Sequence, residues 1–152
     1  MTTPRCALVL ALPLACALAA ASPAAAHVPC SKAAITKIVK PDRFESISGI
    51  TCGDVTGNGR RDVAWTLSSG GSGGNIEWGV VYERKGTRRI ARFTGFTHYN
   101  TLRMKGRRVL VDSPIFTLGD ANCCPTGGTR TESAFWTGKR FIKRVIATKD
   151  ET

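Results

Sequence analysis

Oxygen-bearing side chains recur along Asp54-Val55-Thr56-Gly57-Asn58-Gly59-Arg60-Arg61-Asp62 at the first, third, fifth and ninth positions, with glycine at the sixth. Hard cations such as calcium take roughly six to eight oxygen ligands, and a short loop that bends sharply at a glycine can aim several of them at one centre. Asp54, Thr56, Asn58 and Asp62 are the candidate ligands. An EF-hand is excluded, because the twelfth position is Trp65 and not a bidentate glutamate. The same side chains can also hold a rigid Asx-type turn without metal, and the spacing alone leaves both readings open.

Two further sets of residues could carry chemistry. Cys30, Cys52, Cys123 and Cys124 follow the leader described below, and an even number of cysteines in an oxidising compartment implies two disulfides. Three pairings are possible. Cys30–Cys52 with a vicinal Cys123–Cys124 ring closes the shortest loops. Zinc is disfavoured, because an adjacent pair and two distant single cysteines lack metal-ligand spacing. The second set is His27, His98 and Tyr99. Cleavage before His27 would free an imidazole and an α-amine together, a donor set that suits Cu(II). An exposed His27 and an ordinary loop His98 fit the same residues. The cysteines are expected to be consumed as disulfides and the acids are few and scattered, so a non-catalytic protein is expected, with a copper-dependent enzyme as the remotest alternative.

The elements that must position these residues begin with a leader. Arg5 precedes an apolar run ending in Ser22-Pro23-Ala24-Ala25-Ala26, which reads as a signal peptide over 1–26 with cleavage after Ala26. Pro13 interrupts the run, and its length falls short of the roughly 20 residues of a membrane span. Cys16 is weighed as a lipidation site, but Pro13 stands where an aliphatic residue is expected. Residues 27–152 are expected to form one secreted domain at the cell surface or beyond it, as a monomer.

In that domain Ser31 caps a short predicted helix over 32–39, with Ile35, Ile38 and Val39 on one face and Pro41 as the stop. The pattern then changes to short β-branched and aromatic runs punctuated by glycine. Strands are expected over 44–51, 62–68, 76–83, 88–93, 97–104, 107–111, 129–136 and 140–148. Lys85-Gly86, Lys105-Gly106 and Thr137-Gly138 separate consecutive runs as tight turns. The fold class is therefore mainly β, an antiparallel meander forming a sheet, sandwich or partial propeller, with one N-terminal helix. Residues 68–75 read as a glycine-rich hairpin loop; the Gly-Lys-Ser/Thr of a phosphate loop is missing. Trp65, Trp78 and Trp136 are expected as core anchors.

The chain carries 22 Lys+Arg and 11 Asp+Glu, and losing Arg5 with the leader leaves 21 against 11, a net charge of +10. Such a balance points to anionic envelope polymers as partners, bound by charge. Sequence-specific nucleic-acid binding is not expected, because the Arg/Lys pairs flank turns without interleaved exposed aromatics. The plainer reading is that these cations keep a β protein soluble and blunt its edges.

The Asp54–Asp62 segment, followed by Val63-Ala64-Trp65-Thr66-Leu67, resembles the calcium loop of FG-GAP and VCBS-type β repeats. That resemblance implies Asp54, Thr56, Asn58 and Asp62 as side-chain ligands and Arg60 as a carbonyl ligand. With only two carboxylates the expected affinity is in the weak extracellular range, ~10⁻⁴ to 10⁻³ M. Asp120-Ala121-Asn122-Cys123-Cys124-Pro125-Thr126-Gly127-Gly128, with Phe135-Trp136-Thr137-Gly138-Lys139-Arg140-Phe141, resembles the ending of small exported actinobacterial proteins of the LppP/LprE type. Ser69-Gly70-Gly71 and Trp78-Gly79-Val80 match segments of such relatives. The resemblance implies fold and address rather than activity. The expected function is a secreted, non-catalytic binding or envelope-associated module, possible calcium included; the alternative is a surface protein that stabilises without a specific ligand.

Overall fold

A computed structural model describes residues 27–70, 74–94, 99–121 and 124–149. The leader, Cys16, His98, Cys123 and the centre of the glycine-rich loop lie outside the described residues. The elements are α1 (Lys32–Val39), β1 (Ser46–Gly53), β2 (Asp62–Ser68), β3 (Asn75–Arg84), β4 (Thr87–Thr94), β5 (Thr101–Lys105), β6 (Arg108–Pro114), β7 (Thr129–Trp136) and β8 (Phe141–Lys149). The protein is mainly β, as expected. The strands form two antiparallel four-stranded sheets in sequential order, β1-β2-β3-β4 and β5-β6-β7-β8. No described helix is long and apolar enough to cross a membrane.

Local chemistry explains the boundaries. The Ser31 hydroxyl accepts from the Ala34 amide at 3.2 Å, and Lys40 closes α1 in the left-handed region with its amide on the Thr36 carbonyl. Ile35 and Val39 are buried against the first sheet. Lys85 and Gly86 both have positive φ, the type I′ geometry whose twist matches the flanking strands. At the β5–β6 turn only Gly106 does, so this hairpin uses the alternative two-residue turn with glycine first. Cys30 and Cys52 form a disulfide with Cα atoms 6.1 Å apart, tying the segment before α1 to β1. Closing that loop restricts the unfolded chain by about 3 kcal/mol in the chain-entropy view. Cys124 is also disulfide-bonded, to a partner outside the described residues.

The first sheet is covered on both faces. One face packs Val63, Trp65, Leu67 and Val81 with Ile47 beneath α1 and Val28. The other packs Ala64, Trp78 and Val80 against Val109, Val111, Ala134 and Phe141 of the second sheet. This is why β2 is buried continuously from Asp62 to Leu67 instead of alternately. Trp65 lies opposite Gly79 on the neighbouring strand, and Arg92 covers its ring at 5.4 Å while donating to the Val39 carbonyl and to Glu77. Trp65 and Trp78 are thus core anchors of opposite faces, and Trp136 is half-buried.

The long β6–β7 connection is closed by one carboxylate. Asp120 Oδ2 accepts from the amides of Thr117 and Thr126 at 2.6 and 2.9 Å, and its Oδ1 accepts from their hydroxyls at 2.9 and 2.7 Å. The Thr117 amide, then the Thr126 hydroxyl and amide, hold this carboxyl far below the usual carboxylate range.

Two outcomes follow from this packing. A Cβ at Gly79 would stand 2.6 Å from Trp65 Cζ2 and closer still to the Ala91 carbonyl oxygen, so Gly79→Ala is expected to cost about 1–3 kcal/mol in urea denaturation. Unchanged stability would mean that Trp65 and β4 yield freely. Asp120 has a depressed folded pKa, so its contribution is complete above the unfolded value of ~3.9 and is lost as pH falls through the folded value. Urea denaturation between pH 5 and 2 should therefore show a steeper acid loss for wild type than for Asp120→Asn; parallel acid limbs would remove Asp120 as the clamp.

Candidate functional site

The Asp54–Asp62 segment connects β1 to β2 and winds through Gly57 and Gly59, both at positive φ. Asp54 organises its outer turn. Its Oδ1 accepts from the amides of Gly57 and Asn58 at 2.6 and 3.1 Å, and its Oδ2 from Gly59 at 2.8 Å. Asn58 Oδ1 accepts from the Arg60 amide at 2.8 Å, and its Nδ2 donates to the Glu83 carbonyl at 3.0 Å. The loop is therefore closed by Asx-type bonds of the kind that its composition favours.

Asp62 organises the inner turn. Its Oδ2 accepts from the amides of Val55 and Thr56 at 2.9 and 2.8 Å and from the Thr56 hydroxyl at 2.9 Å. Its Oδ1 is buried and has no hydrogen-bond partner among the described residues. Burial pushes the Asp62 carboxyl above its ordinary range, with the bonds from Thr56 and Val55 opposing and the charge of Asp54 adding to the rise. An oxygen of this kind is a natural ligand for a cation, because a buried carboxylate without full compensation is costly.

Asp54, Thr56 and Asp62 come together, the Thr56 hydroxyl standing 2.9 Å from Asp62 Oδ2 and 3.5 Å from Asp54 Oδ1. Asn58 turns toward β3, and the Arg60 side chain pairs with Glu83. Among the described residues no three acidic, histidine or cysteine side chains converge on one point, so any cation here would rely on two carboxylates with neutral oxygens.

Two participants carry no sequence signal. Glu83, from β3, receives Arg60 and Asn58 only because the β2–β3 register brings its strand beside the loop. Arg107, at the β5–β6 turn, donates to the Thr56 carbonyl at 2.6 Å and lies where a side chain at Gly57 would have to go. Gly57 thus serves both a left-handed turn and the close approach of a guanidinium. His27 is exposed and its Nδ1 accepts from the Arg61 amide at 3.3 Å, which puts it beside the loop. Its suggested partner His98 lies outside the described residues.

Next to the loop, the β3–β4 turn meets the β7–β8 turn. A cleft of about 160 Å³ is bounded by Thr56, Asn58, Glu83, Arg84, Lys85 and Trp136. It shares Arg84 and Lys85 with a larger hollow of about 570 Å³, lined also by Tyr82, Thr87 and Arg89. Loop and basic hollow are therefore neighbours. Comparison of the chain with protein-family models, with curated proteins and with solved structures found no match.

Proposed function

We propose that this protein is an exported, non-catalytic module of the cell envelope that rests on anionic polymers through charge and is stabilised by calcium in its Asp54–Asp62 loop. The observation that carries this reading is an excess of unpaired cations. Arg60, Arg92, Arg103 and Lys143 meet Glu83, Glu77, Asp112 and Glu132. Arg84, Lys85, Arg88, Arg89, Lys105, Lys139 and Arg140 are exposed with no carboxylate partner among the described residues. A field of one sign on a small domain attracts polyanions and weakens with salt. Export is supported by the composition of residues 1–26 and by the Cys30–Cys52 disulfide, which belongs in an oxidising compartment.

The donor set of the loop fits calcium at one informative point, the buried and unpartnered Asp62 Oδ1. Asp54 and Thr56 would supply further oxygens, and Asn58, bonded to the Arg60 amide and the Glu83 carbonyl, would have to turn in to join them with the Arg60 carbonyl. The ion would supply charge compensation and no reaction chemistry. Asp54 and Asp62 would carry the charge balance, with Arg60 held away on Glu83.

Two measurements test this reading. Millimolar calcium should raise the wild-type melting temperature by mass action, magnesium should do so poorly because it demands a tighter octahedral shell, and Asp54→Ala should abolish the shift; a melting temperature indifferent to calcium removes the metal. Retention on isolated anionic wall polymer should fall steeply and continuously as salt rises, as counterion release requires. Retention that ignores salt would overturn the electrostatic reading.

A further inference from the structure

Along the inner face of the first sheet, the side chains change character at one end. Trp78 and Val80 on β3 are buried against the second sheet, and two residues further along the strand come Tyr82 and then Arg84. On β4 the same face runs from Phe93 and Ala91 to Arg89 and Thr87. The register pairs Tyr82 with Arg89 and Arg84 with Thr87, so these four side chains share one face. A sandwich fills such positions with apolar groups when the opposing sheet covers them. Here the second sheet still reaches Tyr82 and Arg84 through Trp136, Phe141 and Lys139, but Lys85, Thr87 and Arg89 are exposed, and an open hollow of about 570 Å³ lies over this end of the hairpin. That size lies within the ~300–1,000 Å³ usual for small-ligand sites.

Its walls are built. Arg84 is fixed by the Lys139 carbonyl at 3.2 Å and by the Trp136 ring at 5.7 Å. Tyr82 is fixed by Trp136 and Phe141, with ring centroids 5.1 and 5.2 Å away. Lys85 stands exposed at the turn, its backbone in the left-handed region with φ of 50°. Lys85 and Arg89 meet no carboxylate among the described residues, and no carboxylate lines the hollow. Three cations with the hydroxyls of Tyr82 and Thr87 therefore face one space. Guanidinium forks and an ammonium are the groups that hold phosphate, and hydroxyls beside them suit sugar oxygens.

We infer that this hollow, walled by Tyr82, Arg84, Lys85, Thr87 and Arg89, is a subsite for one phosphate-bearing sugar unit. The assignment deepens the anionic-polymer reading and rests on it for the source of the ligand. A nucleotide is the poorer match, because the nearby rings already pack on one another, whereas single-stranded bases are held by stacking on free aromatic faces. A lipid headgroup at a bilayer is poorer too, since none of the exposed large apolar side chains lines the hollow.

The test is nuclear magnetic resonance of the secreted protein titrated at low salt with glucose 1-phosphate, glucose, adenosine monophosphate and inorganic phosphate. Glucose 1-phosphate should shift the amides of 82–89 and Gly138 in a saturable way, inorganic phosphate should act at the same residues more weakly, and glucose should do nothing. Lys85→Asn with Arg89→Gln should weaken glucose 1-phosphate and wall polymer at least tenfold, since asparagine tolerates the left-handed turn while losing the charge. Arg89→Gln alone, which leaves the turn untouched, should give a smaller loss in the same direction. The charge-matched Lys37→Gln with Lys149→Gln should leave glucose 1-phosphate affinity unchanged. Equal losses in both double variants, shifts scattered over all basic residues, or tighter binding of adenosine monophosphate would overturn the subsite. Saturable sugar-phosphate binding by a protein that is not retained on wall polymer would strike the envelope reading and leave the subsite standing.

Discussion

The Asp62 carboxylate has no solvent exposure and sits where loop, first sheet and second sheet meet. Its Oδ2 gathers the Val55 and Thr56 amides and the Thr56 hydroxyl. Val55, so held, is buried in the core between the sheets, and the Thr56 carbonyl receives Arg107 from the β5–β6 turn. Removing the carboxylate would strand three donors in the interior at about 1–3 kcal/mol each. The burial also leaves Asp62 Oδ1 without a hydrogen-bond partner among the described residues, so the group that locks the loop is incompletely compensated.

Coverage of the first sheet on two faces shapes much of what surrounds this point. β2 must be apolar on both sides, and its Trp65 needs the space that Gly79 leaves on β3. Arg92 then closes the arrangement by spanning Trp65, Glu77 and the last turn of α1. Among the described residues no helix covers the outer face of the second sheet. Its exposed face relies on polar cross-strand bonds, with Asp112 accepting from Arg103 and Thr131, and on Phe135 lying between the guanidinium groups of Arg108 and Arg144. Long cationic side chains cover apolar surface there with their stems while their heads stay in water.

The basic residues therefore divide by neighbourhood. Arg60, Arg92 and Arg103 are spent on internal partners, and those on the edge strands β4, β5 and β8 discourage pairing with other chains. Arg84, Lys85 and Arg89 differ because they line one hollow on the β3–β4 hairpin, beside a loop that already concentrates polar groups. A composition-level excess of charge becomes local through the β3–β4 register, which sets Arg84 and Arg89 on one face beside the Lys85 turn.

The sequence by itself determined the local features. Ser31 and Pro41 bracket the helix, glycines mark the hairpins, and β-branched runs mark the strands, because capping, turn conformation and strand propensity act over a few residues. The β1 and β6 boundaries moved by one to three residues, as cross-strand pairing rather than composition decides where a strand ends. The grouping of Asp54, Thr56 and Asp62 was also legible, since it depends on spacing within one short loop. Tertiary structure decided which cysteine meets Cys30, which face of β2 meets α1 and which meets the second sheet, and that Glu83 and Arg107 belong to the loop. Tyr82, Arg84 and Arg89, by contrast, share a face through the alternation of a single hairpin, which is a local feature. The cysteine, sheet-face and loop relations depend on register and sheet-on-sheet packing, which join residues distant in the chain and leave no periodicity in it.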